Sequence, residues 1–313
     1  MCINFDKISR PIVAGLLFTL IFATAYLSSC SSSKIASEND VRPVTDDLGR
    51  TVTIPTNITR VVSLAPNLTE LVFAVGAGDK LVGVTTYCNY PPQAKEIAKV
   101  GDTQAPNIET IIALKPDLVL ISTASQLEGT LSQLERQRIP VFVVAPKSLE
   151  DIVRSIRTLG KIFDIEDKAE RAAVEVESQI RSVSENTSKR EKPRVFMQIS
   201  RDPLFTIGAD SFLIDIIEKA GGEPVTKQIP TAYPRLSRET AAALKPDVII
   251  LTTSEDNAEP NDAFSNSPAM LNRKIYRLDA DILSRPGPRS VIALSDIARL
   301  LHPDMAISQK AGY

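Results

Sequence analysis

The sequence predicts an α/β fold of two like-built lobes with parallel central sheets and a ligand cleft between them, and three observations carry that expectation. One segment is written twice: residues 109–123 read ETIIALKPDLVLIST and residues 239–253, at an offset of 130, read ETAAALKPDVIILTT, with 8 of 15 positions identical. In each copy Pro116 or Pro246 stops a short helix, and the apolar run that follows has strand length. Apolar strand-length runs also alternate with helical ones along both halves, the βα pattern of a parallel sheet. A long amphipathic helical stretch separates the halves. Two lobes meeting at a seam enclose a cleft, the usual place for a small molecule.

Taken in order, residues 1–29 have the parts of a secretory signal: Lys7 and Arg10, an apolar stretch from Ile12 to Leu27, then Ser28, Ser29 and Cys30. The apolar stretch is short and one-sided for a membrane span, and a retained transmembrane anchor is the alternative reading. Leu27-Ser28-Ser29-Cys30 resembles the bacterial lipobox, which makes Cys30 the expected site of lipidation and the new first residue. Residues 30–44 read as a flexible tether. Removing Asp6, Lys7 and Arg10 with the signal moves the formal charge from −2 to −3, so nothing favours nucleic acid. The remaining 284 residues are enough for two cores. Cys2 leaves with the signal and Cys30 carries the anchor, so Cys88 stands alone: a small core residue, or a soft ligand.

Val41 to Ile54 suggests a hairpin turning at Asp47-Leu48-Gly49. Strands are expected at 60–64, 81–84, 118–122 and 141–144, and Asn67 is expected to cap a helix that ends near Gly76 to Gly78. From Leu149 to Ser184 the pattern is helical, with Ala169, Ala172, Val176, Ile180 and Val183 on one face and a division near Gly160 and Asp164. Strands return at 195–199, 248–252 and 275–278, and a helix over 289–301 closes the fold. The expected organisation is a first lobe at 45–160, a connecting helix at 161–188 and a second lobe at 189–313.

These residues carry a resemblance. Arg60-Val-Val-Ser-Leu-Ala-Pro-Asn-Leu-Thr-Glu70, Gly76-Ala-Gly78, Val82-Gly-Val84, Tyr87-Cys-Asn-Tyr-Pro-Pro92, Val100-Gly101 and Leu114-Lys-Pro-Asp117 stand in the order seen in the substrate-binding proteins of cobalamin and iron-siderophore ABC importers. Phe205-Thr-Ile-Gly208, Ala220-Gly-Gly222, Ser237-Arg-Glu239 and Arg285-Pro-Gly-Pro-Arg289 continue it, so that it runs from about Val44 to Pro303. The resemblance implies two Rossmann-like lobes joined by one long rigid helix. It also implies a partner, a dimeric membrane permease with its ATPases, and an exported, membrane-anchored monomer with no resident cofactor. In such proteins a glutamate on the outer face of each lobe meets arginines on the permease, and Glu70 and Glu239 match that pair. Each glutamate can equally serve the first turn of its own helix.

The cleft should be lined by loops at strand ends, where Tyr87, Tyr90, Phe205 and Tyr233 lie; each could instead cover a loop edge or fill a core gap. Well-known cobalamin binders use tryptophans in the cleft, but this chain has none, and Thr103 and Tyr233 stand in those places. A corrinoid is the expected ligand, with a ferric siderophore or haem as the alternative. Arg201, Arg235 and Arg285 are near the proposed loops and could grip carboxylates or phenolates. The single histidine, His302, ends the last helix and is not expected to hold a metal. Enzyme chemistry finds no support: there is no Gly-x-Ser-x-Gly elbow, no phosphate loop and no His or Cys cluster. A surface-tethered sensor or adhesin is a further alternative, and it would not need a glutamate on each lobe.

Overall fold

The computed structural model describes residues 40–123 and 127–305. The signal segment, Cys30 and residues 31–39 of the expected tether lie outside the described residues. Residues 41–44 of that tether are not slack chain: β1 (Val41–Thr45) pairs antiparallel with β2 (Thr51–Pro55) in the expected hairpin. The hairpin is strapped at one end to α4 (Leu149–Phe163) and at the other to the first lobe. Arg42 Nη2 donates to the Lys161 and Ile162 carbonyls at 2.7 Å each, and Asp47 N donates to Val143 O at 3.1 Å.

The first lobe runs β3 (Val61–Ser63), α1 (Pro66–Ala74), β4 (Leu81–Val84), α2 (Ile108–Ala113), β5 (Leu118–Ile121), α3 (Leu127–Arg136) and β6 (Val141–Val143). Its sheet is fully parallel, in the order β4-β3-β5-β6. Next come α4 (Leu149–Phe163) and α5 (Glu166–Thr187); Asp164, in the left-handed region at φ 58°, ends α4. The second lobe runs β7 (Arg194–Ser200), β8 (Phe205–Thr206), α6 (Phe212–Lys219), β9 (Glu223–Pro224), α7 (Arg238–Leu244), β10 (Val248–Thr252), α8 (Pro268–Leu271), β11 (Ile275–Leu278), α9 (Ala280–Leu283) and α10 (Ser290–Leu301). Its sheet has the order β11-β10-β7-β8, with β9 also on β7, and β8 alone is antiparallel. The fold is therefore the α/β pair of Rossmann-like lobes that the sequence predicts. Short β8 and β9 were not foreseen, because two residues carry no readable period.

Period-two alternation sorts each strand between two cores. Val62, Val119, Ile121, Val141 and Val143 pack with Ile111 and Leu134 on the outer side of the first sheet, and Phe196, Ile249 and Leu251 pack with Ala241 and Phe264 on that of the second. The opposite faces share one core. Leu118, Leu120 and Phe142 reach through Ile152, Ile156 and Leu159 of α4 and Ala173 and Val176 of α5 to Val195, Met197, Ile216, Ile250 and Leu294 of the second lobe. At 22 residues α5 is about 33 Å long. A polar tie reinforces this side: Asp215 Oδ2 of α6 accepts from Leu149 N at the start of α4 at 2.8 Å, and Lys219 pairs with both Glu150 and Asp215.

The repeated Lys-Pro-Asp is a structural clamp, built twice. Lys115 (φ 47°) and Lys245 (φ 41°) both take the left-handed conformation that ends a helix. Asp117 Oδ2 then accepts from Thr59 N and Arg60 N at 2.8 Å each, and Asp247 Oδ2 accepts from Arg194 N at 2.9 Å. The same arginines return the favour to the helix end: Arg60 Nη2 donates to Leu114 O at 2.6 Å and Arg194 Nη2 to Leu244 O at 2.8 Å. Each clamp fixes where the next strand begins against its neighbour. Because these groups are partly open to water, Asp117→Ala and Asp247→Ala should each cost about 1 kcal/mol in urea unfolding, and the costs should add since the clamps share no partner.

Candidate functional site

The cleft between the lobes contains a cavity of about 320 Å³ walled by both. The first lobe supplies Ala65, Pro66 and Asn67 at the start of α1, Tyr87, Thr103, Ser122 and Thr123, and Val144 to Pro146; the second supplies Asp281 and Ser284 to Pro286. The first lobe's contributions come from loops just after β3, β4, β5 and β6, where an open parallel sheet places its ligands, and the second lobe's from the segment after β11. Tyr87, 59 % exposed, presents an open ring, and Thr103 lines the cavity where a flat stacking face is absent. Asn67 does not cap α1, whose N-cap is Ala65 with no side-chain bond; its Nδ2 donates across the seam to Pro286 O at 3.3 Å.

Arg285 reaches this wall, but as part of a buried network. Its Nη2 pairs with Asp281 Oδ2 at 2.7 Å, and its Nη1 donates to Asn89 Oδ1 at 2.6 Å and to Glu70 Oε1 at 3.4 Å. Asn89 Nδ2 in turn donates to Asp281 Oδ2 at 3.1 Å. Arg289 grips the same Glu70 with both arms: Nε to Oε2 at 2.9 Å and Nη2 to Oε1 at 2.6 Å. Burial works against the charge of Arg289, and the hydrogen bonds and charge of Glu70 outweigh it, so its pKa is raised.

Glu70 therefore does not lie on an outer face as the sequence suggested. Its side chain is 2 % exposed and faces two guanidinium groups of the other lobe. Tyr90 also departs from the expected cleft position: its ring lies under Arg289, 4.2 Å from guanidinium carbon to ring centroid, in a separate cavity with Phe73, Pro91 and Pro288. Arg201 is taken up by Asp262 (3.0 Å) and Pro260 O. Phe205, half-buried, is held between β7 and Arg235, and neither Phe205, Arg201, Arg235 nor Tyr233 is among the residues walling this cavity. His302 is buried, with Nε2 3.3 Å from Gly221 O. Cys88 is a buried core thiol within 3.1 Å of the hydroxyls of Thr69 and Thr85.

On the second lobe, loop 229–234 crosses so close to Gly208 that a Cβ there would stand 2.3 Å from Thr231 O, which only glycine permits. Tyr233 rides on this loop, half open to solvent; burial raises its pKa, and a hydrogen bond with Ser211 offsets part of that. Glu239 is exposed in the first turn of α7, and its own amide and the Ser237 hydroxyl hold its carboxyl below the usual range. Asn107 and Ser237 cap α2 and α7 alike, accepting from Thr110 N at 2.9 Å and Thr240 N at 3.1 Å. Glu109, the repeat partner of Glu239, is exposed in the matching turn. Sequence reasoning missed Glu109, Asn89 and Asp281, although the repeat itself pointed to the first.

A two-lobed α/β protein with a cleft at its strand ends and a bracing helical layer is built as a solute receptor. The chain belongs to the periplasmic binding protein family, whose sequence profile matches residues 61–282. It is 32 % identical over 308 residues to YvrC of Bacillus subtilis (strain 168), described as an ABC transporter substrate-binding lipoprotein, covering 93 % of this chain and 98 % of that one. It is 33 % identical over 247 residues to a vitamin B12-binding protein of Pectobacterium atrosepticum, covering 77 % and 88 %. Among solved structures, the periplasmic vitamin B12 binding protein BtuF of Vibrio cholerae superposes with a TM-score of 0.70 at 28 % identity, over 79 % of this chain and 98 % of that one. The periplasmic heme-binding protein RhuT from Roseiflexus sp. RS-1 gives 0.69 at 27 %, over 79 % and 99 %. The chain is thus a substrate-binding protein of the ABC transporter class, a transport rather than an enzyme family. Among the described residues no helix is long and apolar enough to cross a membrane, and no three potential metal ligands cluster.

The raised pKa of Tyr233 has a pH consequence of definite sign. The folded state keeps this proton above the ordinary value near 10 while the unfolded chain loses it, so this residue's contribution to stability declines as pH rises past 10. Spectrophotometric titration of Tyr233→Phe should lack a tyrosinate component present in the parent above the ordinary tyrosine range, and its stability should fall less steeply in that window.

Proposed function

We propose that the chain is an exported receptor, anchored through lipid on Cys30, that holds a corrinoid in the interlobe cleft and hands it as a monomer to an ABC permease dimer with its ATPases. The observation that carries the ligand class is the charge balance of the cavity wall. Its charged side chains are Asp281 and Arg285, and these two pair with each other; the remainder is Tyr87, small polar groups, alanines, prolines and a valine. A ligand rich in neutral amides can hydrogen-bond to such a wall without disturbing it. A haem or ferric chelate bearing carboxylates would meet no free Nη donor on Arg285, which spends them on Glu70, Asn89, Tyr87 O and Asp281. The vitamin B12-binding relatives and the lipoprotein relative favour the same reading. RhuT keeps haem as the second candidate.

Calorimetry with cyanocobalamin, haemin and a panel of ferric siderophores tests this directly. Cyanocobalamin should bind, and Tyr87→Ala, which removes the aromatic ring of the cavity wall, should weaken it by about 0.5–1.5 kcal/mol beyond the loss of buried area. Binding of haemin or a siderophore with cyanocobalamin silent would overturn the ligand assignment.

For delivery, the outward pair is better matched by Glu109 and Glu239 than by Glu70 and Glu239. Glu109 and Glu239 are related by the internal repeat, each sits exposed in the first turn of a capped helix, and the two lie on different lobes. Glu70 is sealed beneath Arg285 and Arg289. Two like carboxylates suit arginines on the two halves of a dimeric permease, where rim charges set register and encounter rate. Glu109→Ala with Glu239→Ala should leave ligand affinity within about two-fold, since neither glutamate walls the cavity, while reconstituted uptake falls at least ten-fold. Uptake undiminished in the double variant would remove this pair from docking.

A further inference from the structure

We propose that Glu70 is a positioning residue for the cleft: a buried interlobe latch that holds Arg285, and with it the Asp281 wall, at a fixed distance from the Tyr87 loop. This rests on the cleft being the ligand site. Glu70 projects from α1 of the first lobe, and both of its guanidinium partners lie just before or at the start of α10 of the second. Its Oε1 accepts from Arg289 and Arg285 and its Oε2 from Arg289. The side chains of Glu70, Arg289 and Arg285 are 2 %, 13 % and 8 % exposed, so water cannot replace a lost partner. With Asp281 the four charges cancel, two of each sign; Arg285 and Asp281 both line the cleft, and Asp281, at 47 %, is the exposed member. The network lies between two cavities: Arg285 and Asp281 line the interlobe one, and Glu70 and Arg289 line the one with Phe73 and Tyr90.

Two features separate a latch from an ordinary core ion pair. The network bridges residues more than 200 positions apart on opposite sides of the seam, whereas the shared apolar core ties the lobes along the α4–α5 side. Arg285 also carries two contacts that belong to the cleft itself, Asn89 Oδ1 and Tyr87 O on the opposing loop. One carboxylate thus ties Arg289, and through it and the longer contact Arg285, of the second lobe to α1 of the first. A group on the ligand that engages Asp281 acts on Arg285 directly and reaches Glu70 through it.

Hydrogen exchange measured by mass spectrometry on the detergent-solubilised full chain tests the latch without any ligand. Glu70→Gln preserves shape but places an amide donor against guanidinium donors. It should speed exchange roughly ten-fold at residues 87–90 of the first lobe and 283–289 of the second together, with β10 unchanged. Arg289→Lys, which keeps the charge and loses the two-armed grip, should do the same more weakly, and it serves if Glu70→Gln does not fold. Exchange rising only within α1, or at neither loop, overturns the latch. In parallel, cyanocobalamin and haemin are titrated into parent and variant: whichever the parent binds should dissociate faster from Glu70→Gln, with affinity reduced about ten-fold. Unchanged affinity overturns the positioning role. A parent that binds neither probe refutes the ligand reading alone, because the exchange arm still decides the latch.

Discussion

A carboxylate removed from water must be met by charge and hydrogen bonds, and at Glu70 the partners come from the other lobe. This requirement constrains the seam more tightly than apolar packing can, because hydrophobic contact is non-directional whereas a two-armed guanidinium grip fixes both distance and angle. Breaking such a pair by removing one partner strands a buried charge at a cost of about 3–5 kcal/mol. The position of the second lobe's cleft loop follows from it: Arg285 and Arg289 are held, Pro286 accepts from Asn67 between them, and Asp281 is turned toward the cavity.

On the α4–α5 side the coupling is of another kind. The inner faces of both sheets, α4, α5, α6 and α10 share one apolar core, and Asp215 closes the start of α4 from across the seam. A hinge formed by extended strands could flex with little loss of buried surface. Here opening the lobes would pull apart packed helices, and a packed interior yields little to small strains. The molecule is thus restrained along one edge by packing and along another by charge, with the cavity between residues that each restraint holds. Small adjustments of loops, rather than wide domain closure, are what this arrangement allows on binding.

Much of this was legible in the sequence wherever the signal is local. The strand register follows from apolar period, the division at Asp164 from helical phase, and the two lobes from the repeated Lys-Pro-Asp, whose prolines and left-handed lysines are short-range devices. What escaped were partnerships set by tertiary contact. A glutamate three positions after an asparagine reads as a capped first turn, yet Asn67 is spent on Pro286 and Glu70 on two arginines more than 200 residues away. Arg201 looked available for a ligand because Asp262, which captures it, lies in a loop with no pattern to place it. Tyr90 and Tyr87 are separated by two residues in one motif, but the ring of Tyr90 falls on the Arg289 side and only Tyr87 reaches the cavity. Burial and pairing are properties of the folded surface, not of spacing.

The repeat also explains which surfaces are alike and which are not. Features inherited by both halves recur at matching positions: the clamps at Asp117 and Asp247, the capped helices at Asn107 and Ser237, and the exposed Glu109 and Glu239 in their first turns. At the seam the halves must instead be complementary, since two copies presenting the same charge would repel. There the first lobe offers Glu70 from α1, and the second answers with Arg285 and Arg289. Likeness has been kept on the outside and lost on the inside. A partner that meets both lobes from outside can therefore use the same chemistry twice, as a two-fold assembly does. The cleft between them presents two different walls.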